Sequence, residues 1–193
     1  MANLILASSS PRRRELLKQI GVKFEVFPSE VDENISIKDP IEYVRELSYM
    51  KALWVAERVP KGIILAADTI VFHKGKILGK PLGEEDARSM LETLSGDIHE
   101  VITGIALLNK DETKKIILDH CTTKVHFKEL TKEMLDNYIA TGESMDKAGS
   151  YAIQGYGAVL VEEIQGDYSN VVGLPISKLL DHLLAFNIKI FGG

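Results

Sequence analysis

At 193 residues with 45% hydrophobic content, the chain is long enough to bury a sizeable core unaided, as one domain or as two lobes sharing a continuous core. A net charge of −5 excludes the general basic field that holds a protein on a nucleic-acid polymer, so positive charge that binds a ligand has to be local. The single cysteine, Cys121, excludes an intrachain disulfide framework and a CxxC-type zinc site and fits a reducing compartment, with a cytoplasmic location the natural expectation. The apolar run Leu4–Ala7 is far shorter than a signal-peptide core. Charges such as Arg45, Lys51, Lys61 and Lys74 interrupt the later apolar stretches before any could span a membrane, so no membrane association is expected.

Leu4-Ile5-Leu6-Ala7 reads as a strand that runs through Ser8-Ser9-Ser10 into a helix from about Pro11 to Ile20, stopped by Gly21. Arg12, Arg13 and Arg14 fall in the first turn of that helix, where the dipole and the free N–H groups already make the surroundings positive. A bound anion removes the conflict, and Ser10 as N-cap, Pro11 at the first helical position and a strand-to-helix turn form a geometry that phosphate groups exploit. An ordinary capped helix whose arginines point into water fits the same letters. The extended Phe24–Val26 follows, then a long helix from Pro40 to about Val59 and a buried strand from Ile63 to Phe72. Asp68 interrupts that strand between Ala67 and Thr69. A carboxylate in a core-like strand pairs with a cation, holds a metal, or sits where the strand emerges at a cleft; a structural salt bridge is the bland alternative.

His73-Lys74-Gly75-Lys76 reads as a hairpin turn into Ile77–Pro81, with Lys80 held between Gly79 and Pro81, a restricted setting that suits a positioned ammonium. The next helix, about Glu84 to Leu94, starts with Glu84, Glu85 and Asp86, the charge sign that a helix N-terminus favours, which makes the arginine-rich start of the first helix look less accidental. Strands Val101–Leu108 and Ile116–Phe127 flank a turn at Asn109-Lys110-Asp111-Glu112, and a helix runs from Thr131 to about Ala140. Met145 to Gly157 is dense in charge, amide and glycine on what reads as a mobile backbone. Gln154 there could read the edge of a planar base, although a glycine-rich turn without a ligand has a similar composition. Pro175 opens a final helix with Ile176, Leu179, Leu180, Leu183 and Leu184 expected to face inward.

The five histidines show no HExxH or cysteine–histidine spacing, and no P-loop, GxGxxG or GxSxG motif is present. What remains is a set of phosphate-seeking cations and hydroxyls near the N-terminus, acids at Asp32-Glu33 and Asp68, lysines at Lys51 and Lys80, and a base-sized polar loop at Gln154. Together they suggest a nucleotide whose polyphosphate is neutralised by several cations and a divalent metal.

These residues also carry a resemblance. Ser8-Ser9-Ser10-Pro11-Arg12-Arg13, Asp32-Glu33, Lys51-Ala52, Ala67-Asp68-Thr69, Gly79-Lys80-Pro81, Ser95-Gly96 with His99, Thr103-Gly104, Asp146-Lys147-Ala148-Gly149 through Gln154-Gly155, and Gly173-Leu174-Pro175 resemble, nearly end to end, the Maf family of nucleoside triphosphate pyrophosphatases. Ala66-Ala67 in place of the commoner Gly-Ala is a small departure. The resemblance implies a single domain over 1–193 with an α/β, inosine triphosphatase-like fold: a long mixed sheet with flanking helices, bent around a cleft between two lobes, commonly as a homodimer. It further implies that Asp68 activates water, that Glu33 and Asp68 hold a divalent cation such as magnesium or manganese, and that Ser8, Arg13, Lys51 and Lys80 bind the triphosphate. Arg12, Thr69 and Gln154 mark branches of the family, and this trio resembles the branch acting on dTTP and UTP rather than on 7-methyl-GTP. A sensor that binds triphosphates and regulates a partner in cell division, with little turnover, is the alternative reading.

Overall fold

The computed structural model describes residues 3–111 and 115–191. In chain order its elements are β1 (Leu4–Leu6), α1 (Pro11–Gln19), β2 (Phe24–Val26), α2 (Pro40–Ala56), β3 (Ile63–His73), β4 (Lys76–Leu78), α3 (Glu84–Leu94), β5 (Ile98–Asn109), β6 (Ile116–Phe127), α4 (Lys132–Ala140), β7 (Val161–Gln165), α5 (Tyr168–Val172) and α6 (Ile176–Ala185), with short 3₁₀ turns between Glu143 and Leu160. The expected α/β class is found. A seven-stranded sheet has the order β2-β1-β3-β5-β6-β7, and β4 pairs with β3. It is mixed: β1 runs parallel to β2 and β3, with Leu4 opposite Phe24 and Ile63, whereas β3/β4 and β6/β7 are antiparallel. Strand β1, paired on both edges, is buried at all three residues, the continuous apolar run that parallel strands covered on both faces require.

Local chemistry explains the boundaries. Pro11 and Pro40 stand at the helix starts, where a missing N–H is harmless, and Asp39 caps α2 by accepting from the N–H of Ile41 and Glu42 at 3.0 and 2.9 Å. Helix α2 ends at Ala56 with Glu57 as its C-cap, short of the expected Val59, and Pro60, which disfavours helical geometry at Val59, keeps it from continuing. Lys74 (φ 46) and Gly75 (φ 79) form the β3–β4 hairpin turn, the doubly left-handed conformation whose twist matches antiparallel strands. Helix α6 corrects one expectation: Leu179 and Leu183 are buried, but Leu184 is 53% exposed, since the buried stripe is narrower than the run of leucines. Of the turn expected at Asn109–Glu112, Glu112 lies outside the described residues.

The chain divides into two compact units, each assembled from separated segments: 1–68, 103–121 and 173–193 form the first, and 69–102 and 122–172 the second. The first has an aliphatic core that includes Ile5, Ala52, Val55, Ile64, Ala66 and Ala106. In the second, Leu91, Leu94, Val101, Phe127, Leu135 and Tyr151 pack together. Among the described residues no helix is long and apolar enough to cross a membrane.

Candidate active site

Within the first unit, β1 delivers Ser8 to the foot of α1. Ser10 occupies the N-cap position in an extended conformation, yet its side chain makes no capping bond. The hydroxyl that serves instead is Ser8 Oγ, which accepts from Ser10 N–H at 3.2 Å and from Arg13 Nη1 at 3.2 Å. Arg13 Nε donates to the Gly173 carbonyl at 2.8 Å, so the guanidinium is held on two sides. Arg14 Nη2 donates to Ser9 O at 3.0 Å, and Arg12 is half-buried. No acid stands in the first turn. Burial pulls the Arg13 pKa down from its ordinary value, the Asp68 charge opposes this, and the Arg12 charge adds to it. A desolvated cation beside a second one at a positive helix end is an arrangement that an anion relieves.

Lys51, on the buried face of α2, meets two carboxylates. Its Nζ lies 2.6 Å from Asp68 Oδ1 and 2.7 Å from Glu33 Oε1. Lys51 and Asp68 are both buried, whereas the Glu33 side chain is 55% exposed. Asp68 sits on β3 two residues after Ala66, whose small, fully buried side chain shares its face and packs with Ala52 and Val55 of α2. The expected Asp32-Glu33 pair separates by role. Asp32 Oδ1 accepts from Asn34 N–H at 2.9 Å, folding an Asx turn that leaves Glu33 to face Lys51. Tyr43, which sequence reasoning missed, lies on α2 eight residues before Lys51, on the same helical face; its hydroxyl donates to the Glu33 carbonyl at 3.3 Å. Burial first, then the charges of Asp68 and Glu33, push the Tyr43 pKa up.

Among the described residues no group of three or more His, Cys, Asp and Glu side chains is arranged to hold a metal ion. Two carboxylates converging on one cation nonetheless suit a hard divalent ion, which keeps several waters and takes further oxygens from phosphates.

The remaining predicted residues belong to the second unit. Thr69 is half-buried and follows Asp68 on β3, so strand alternation turns its side chain to the opposite face. Lys80 is exposed in the segment after β4, and Gln154 is half-buried at the start of a 3₁₀ turn. The segment around Gln154, expected to be a mobile backbone, is instead folded into successive 3₁₀ turns tied by Glu143 and Tyr138. Lys147 ion-pairs with Asp146.

Residues 3–186 match the family model described as Maf-like protein. The chain belongs to the Maf family. Among Maf relatives, a protein of Alkaliphilus metalliredigens is 55% identical over 181 residues, covering 93% of this chain and 93% of its own. One from Ruminiclostridium cellulolyticum is 53% identical over 192 residues, 98% of this chain and 99% of that one, and one from Bacillus cereus is 51% identical over 191 residues, 98% of each. Each of the three is named dTTP/UTP pyrophosphatase. Among solved structures, a HAM1 protein from Coxiella burnetii aligns with a TM-score of 0.48 and 19% identity over 66% of this chain and 73% of that one, a likeness too weak to bear on function.

Proposed function

We propose that this Maf chain hydrolyses dTTP and UTP to the nucleoside monophosphate and pyrophosphate. The substrate follows from relatives of that name at 51–55% identity over nearly the whole chain. The chemistry rests on one observation: a buried carboxylate, Asp68, shares a lysine with Glu33, and Arg13 and Ser8 are fixed at the start of α1. Asp68 takes a proton from water, whose oxygen forms a bond to the α-phosphorus. The bond from that phosphorus to the α–β bridging oxygen breaks, and pyrophosphate leaves with the electron pair.

Lys51 ion-pairs with two carboxylates in the free protein, and phosphate oxygens compete for its N–H donors, which releases Asp68 Oδ1 to accept the proton. Ser8, Arg13, Lys51 and Lys80 bind the triphosphate. A magnesium or manganese ion held by Glu33 and Asp68 supplies charge neutralisation at the phosphates when bound. Arg12, Thr69 and Gln154 select the base. The protein works in the cytoplasm as a homodimer, and sedimentation at micromolar concentration checks the assembly.

Asp68→Asn tests the assignment of the base. It keeps the shape and loses the proton acceptor, so nucleotide binding by calorimetry should persist while turnover falls on the order of 10²–10⁴-fold. Turnover near that of the unaltered protein would show that another group activates the water.

A further inference from the structure

Gln154 lies between two backbone anchors within the second unit. Before it, Ala152 N–H donates to the Tyr138 hydroxyl oxygen at 3.2 Å. After it, Tyr156 N–H donates to Glu143 Oε1 at 3.1 Å and Gly157 N–H to Glu143 Oε2 at 2.8 Å. One carboxylate thus caps two successive donors with both of its oxygens, a charge-assisted arrangement about twice as strong as neutral bonds. The glycines around Gln154 are explained by this brace. Gly155 has φ +76, and a Cβ there would lie 2.1 Å from Glu143 Oε1. A Cβ on Gly157 would lie 2.2 Å from the Ala152 carbonyl oxygen and 2.9 Å from the Tyr138 hydroxyl.

Glu143 is itself held. Gly142 takes the left-handed conformation (φ 73) just after α4, and Thr141 Oγ1 accepts the Glu143 N–H at 3.2 Å. Tyr138 is buried; burial pushes its pKa up, the Ala152 N–H opposes this, and the Glu143 charge reinforces it, so the hydroxyl keeps its proton. The brace engages main-chain N–H groups through two side chains, and the Gln154 amide takes no part in it.

We infer that Glu143 is a positioning residue for base selection: its carboxylate sets the turn that presents the Gln154 amide. The inference rests on the reading of Gln154 as the base contact. An amide can present either its oxygen or its NH₂ to a base edge, so it discriminates only when the backbone fixes where it stands. The Watson–Crick edges of uracil and cytosine differ in this respect, the first offering an acceptor at position 4 and the second a donor. Without Glu143, two N–H groups lose their acceptor, a glycine-bearing turn regains its freedom, and the discrimination weakens.

The test uses the full chain as unaltered protein, Glu143→Ala, Glu143→Gln, Gln154→Ala and the double variant Glu143→Ala/Gln154→Ala, with kcat/KM measured for UTP and CTP. The ratio of the two is the readout, because a general loss of stability moves both substrates together. Gln154→Ala should reduce the UTP preference by about tenfold or more, Glu143→Ala should reduce it by about fivefold or more, and the double variant should go no further than Gln154→Ala. Glu143→Gln keeps the side-chain shape and one acceptor, so it should fall between the unaltered protein and Glu143→Ala, and it decides the matter if the alanine variant does not fold. If Gln154→Ala changes the preference while neither Glu143 variant does, or if the two effects add in the double variant, the positioning role is overturned. If Gln154→Ala leaves the preference unchanged, the base-contact reading itself fails and the inference falls with it.

Discussion

Lys51 holds two carboxylates on one ammonium, Asp68 Oδ1 at 2.6 Å and Glu33 Oε1 at 2.7 Å. The letters offered Lys51, Glu33 and Asp68 as separate candidates, because residues 17 and 18 positions apart acquire a common point only when α2 packs on β3 and the loop before α2 folds back. Replacing Lys51 with Met leaves a buried carboxylate uncompensated, which should lower the unfolding free energy by about 3 kcal/mol or more in denaturant titrations. Added magnesium should raise the melting temperature of Lys51→Met more than that of the unaltered protein, since the vacated position between Glu33 and Asp68 then attracts a cation. An equal response in both proteins would argue against a cation site at that pair. Asp32 teaches the same lesson in reverse: as a residue type it equals Glu33, but the short side chain reaches its own turn and is spent on Asn34.

At the scale of elements, the strongly patterned segments were legible and the polar ones were not. Helix α3 and strand β6 run over the expected residues, Glu84–Leu94 and Ile116–Phe127, the first announced by its acidic first turn and the second by the β-branched Ile116, Ile117, Thr122, Thr123 and Val125. Strand β7, Val161–Gln165, was missed: it lies at the sheet margin, pairs with β6 alone and is mostly exposed, so it shows no apolar alternation. The packing of β5 on α2 offers a sharp test. A Cβ on Gly104 would stand 2.2 Å from the Val44 carbonyl oxygen, so the backbone of the helix lies directly over the strand. Gly104→Ala should therefore destabilise by about 1–3 kcal/mol or more, read as a lower denaturant midpoint with an unchanged slope. An unaltered midpoint would mean that helix and strand can part at little cost.

For the whole molecule, the α/β class is what the resemblance implies and the strands and helices bear out, but which segments form each compact unit was not legible, since each is assembled from segments separated along the chain. Global stability should carry the mark of one buried histidine. His99 is buried against Phe127 and Tyr151, with Nε2 2.8 Å from the Tyr151 hydroxyl, and burial pulls its pKa from 6.5 down to about 3. Between those values the unfolded chain binds a proton that the folded one refuses, so stability falls as pH drops from 6.5 towards 3 and is unaffected by this group above 6.5. Denaturation between pH 6 and 4 should show a contribution of about 1.4 kcal/mol per pH unit that His99→Gln removes; an unchanged slope in that variant would assign the effect elsewhere. Which bond breaks is read by turning over an excess of dTTP and UTP with magnesium in ¹⁸O-labelled water. Attack at the α-phosphorus should give many turnovers to monophosphate and pyrophosphate, with the label in the monophosphate. Label in the pyrophosphate, release of diphosphate with inorganic phosphate, or stoichiometric binding without turnover would contradict it.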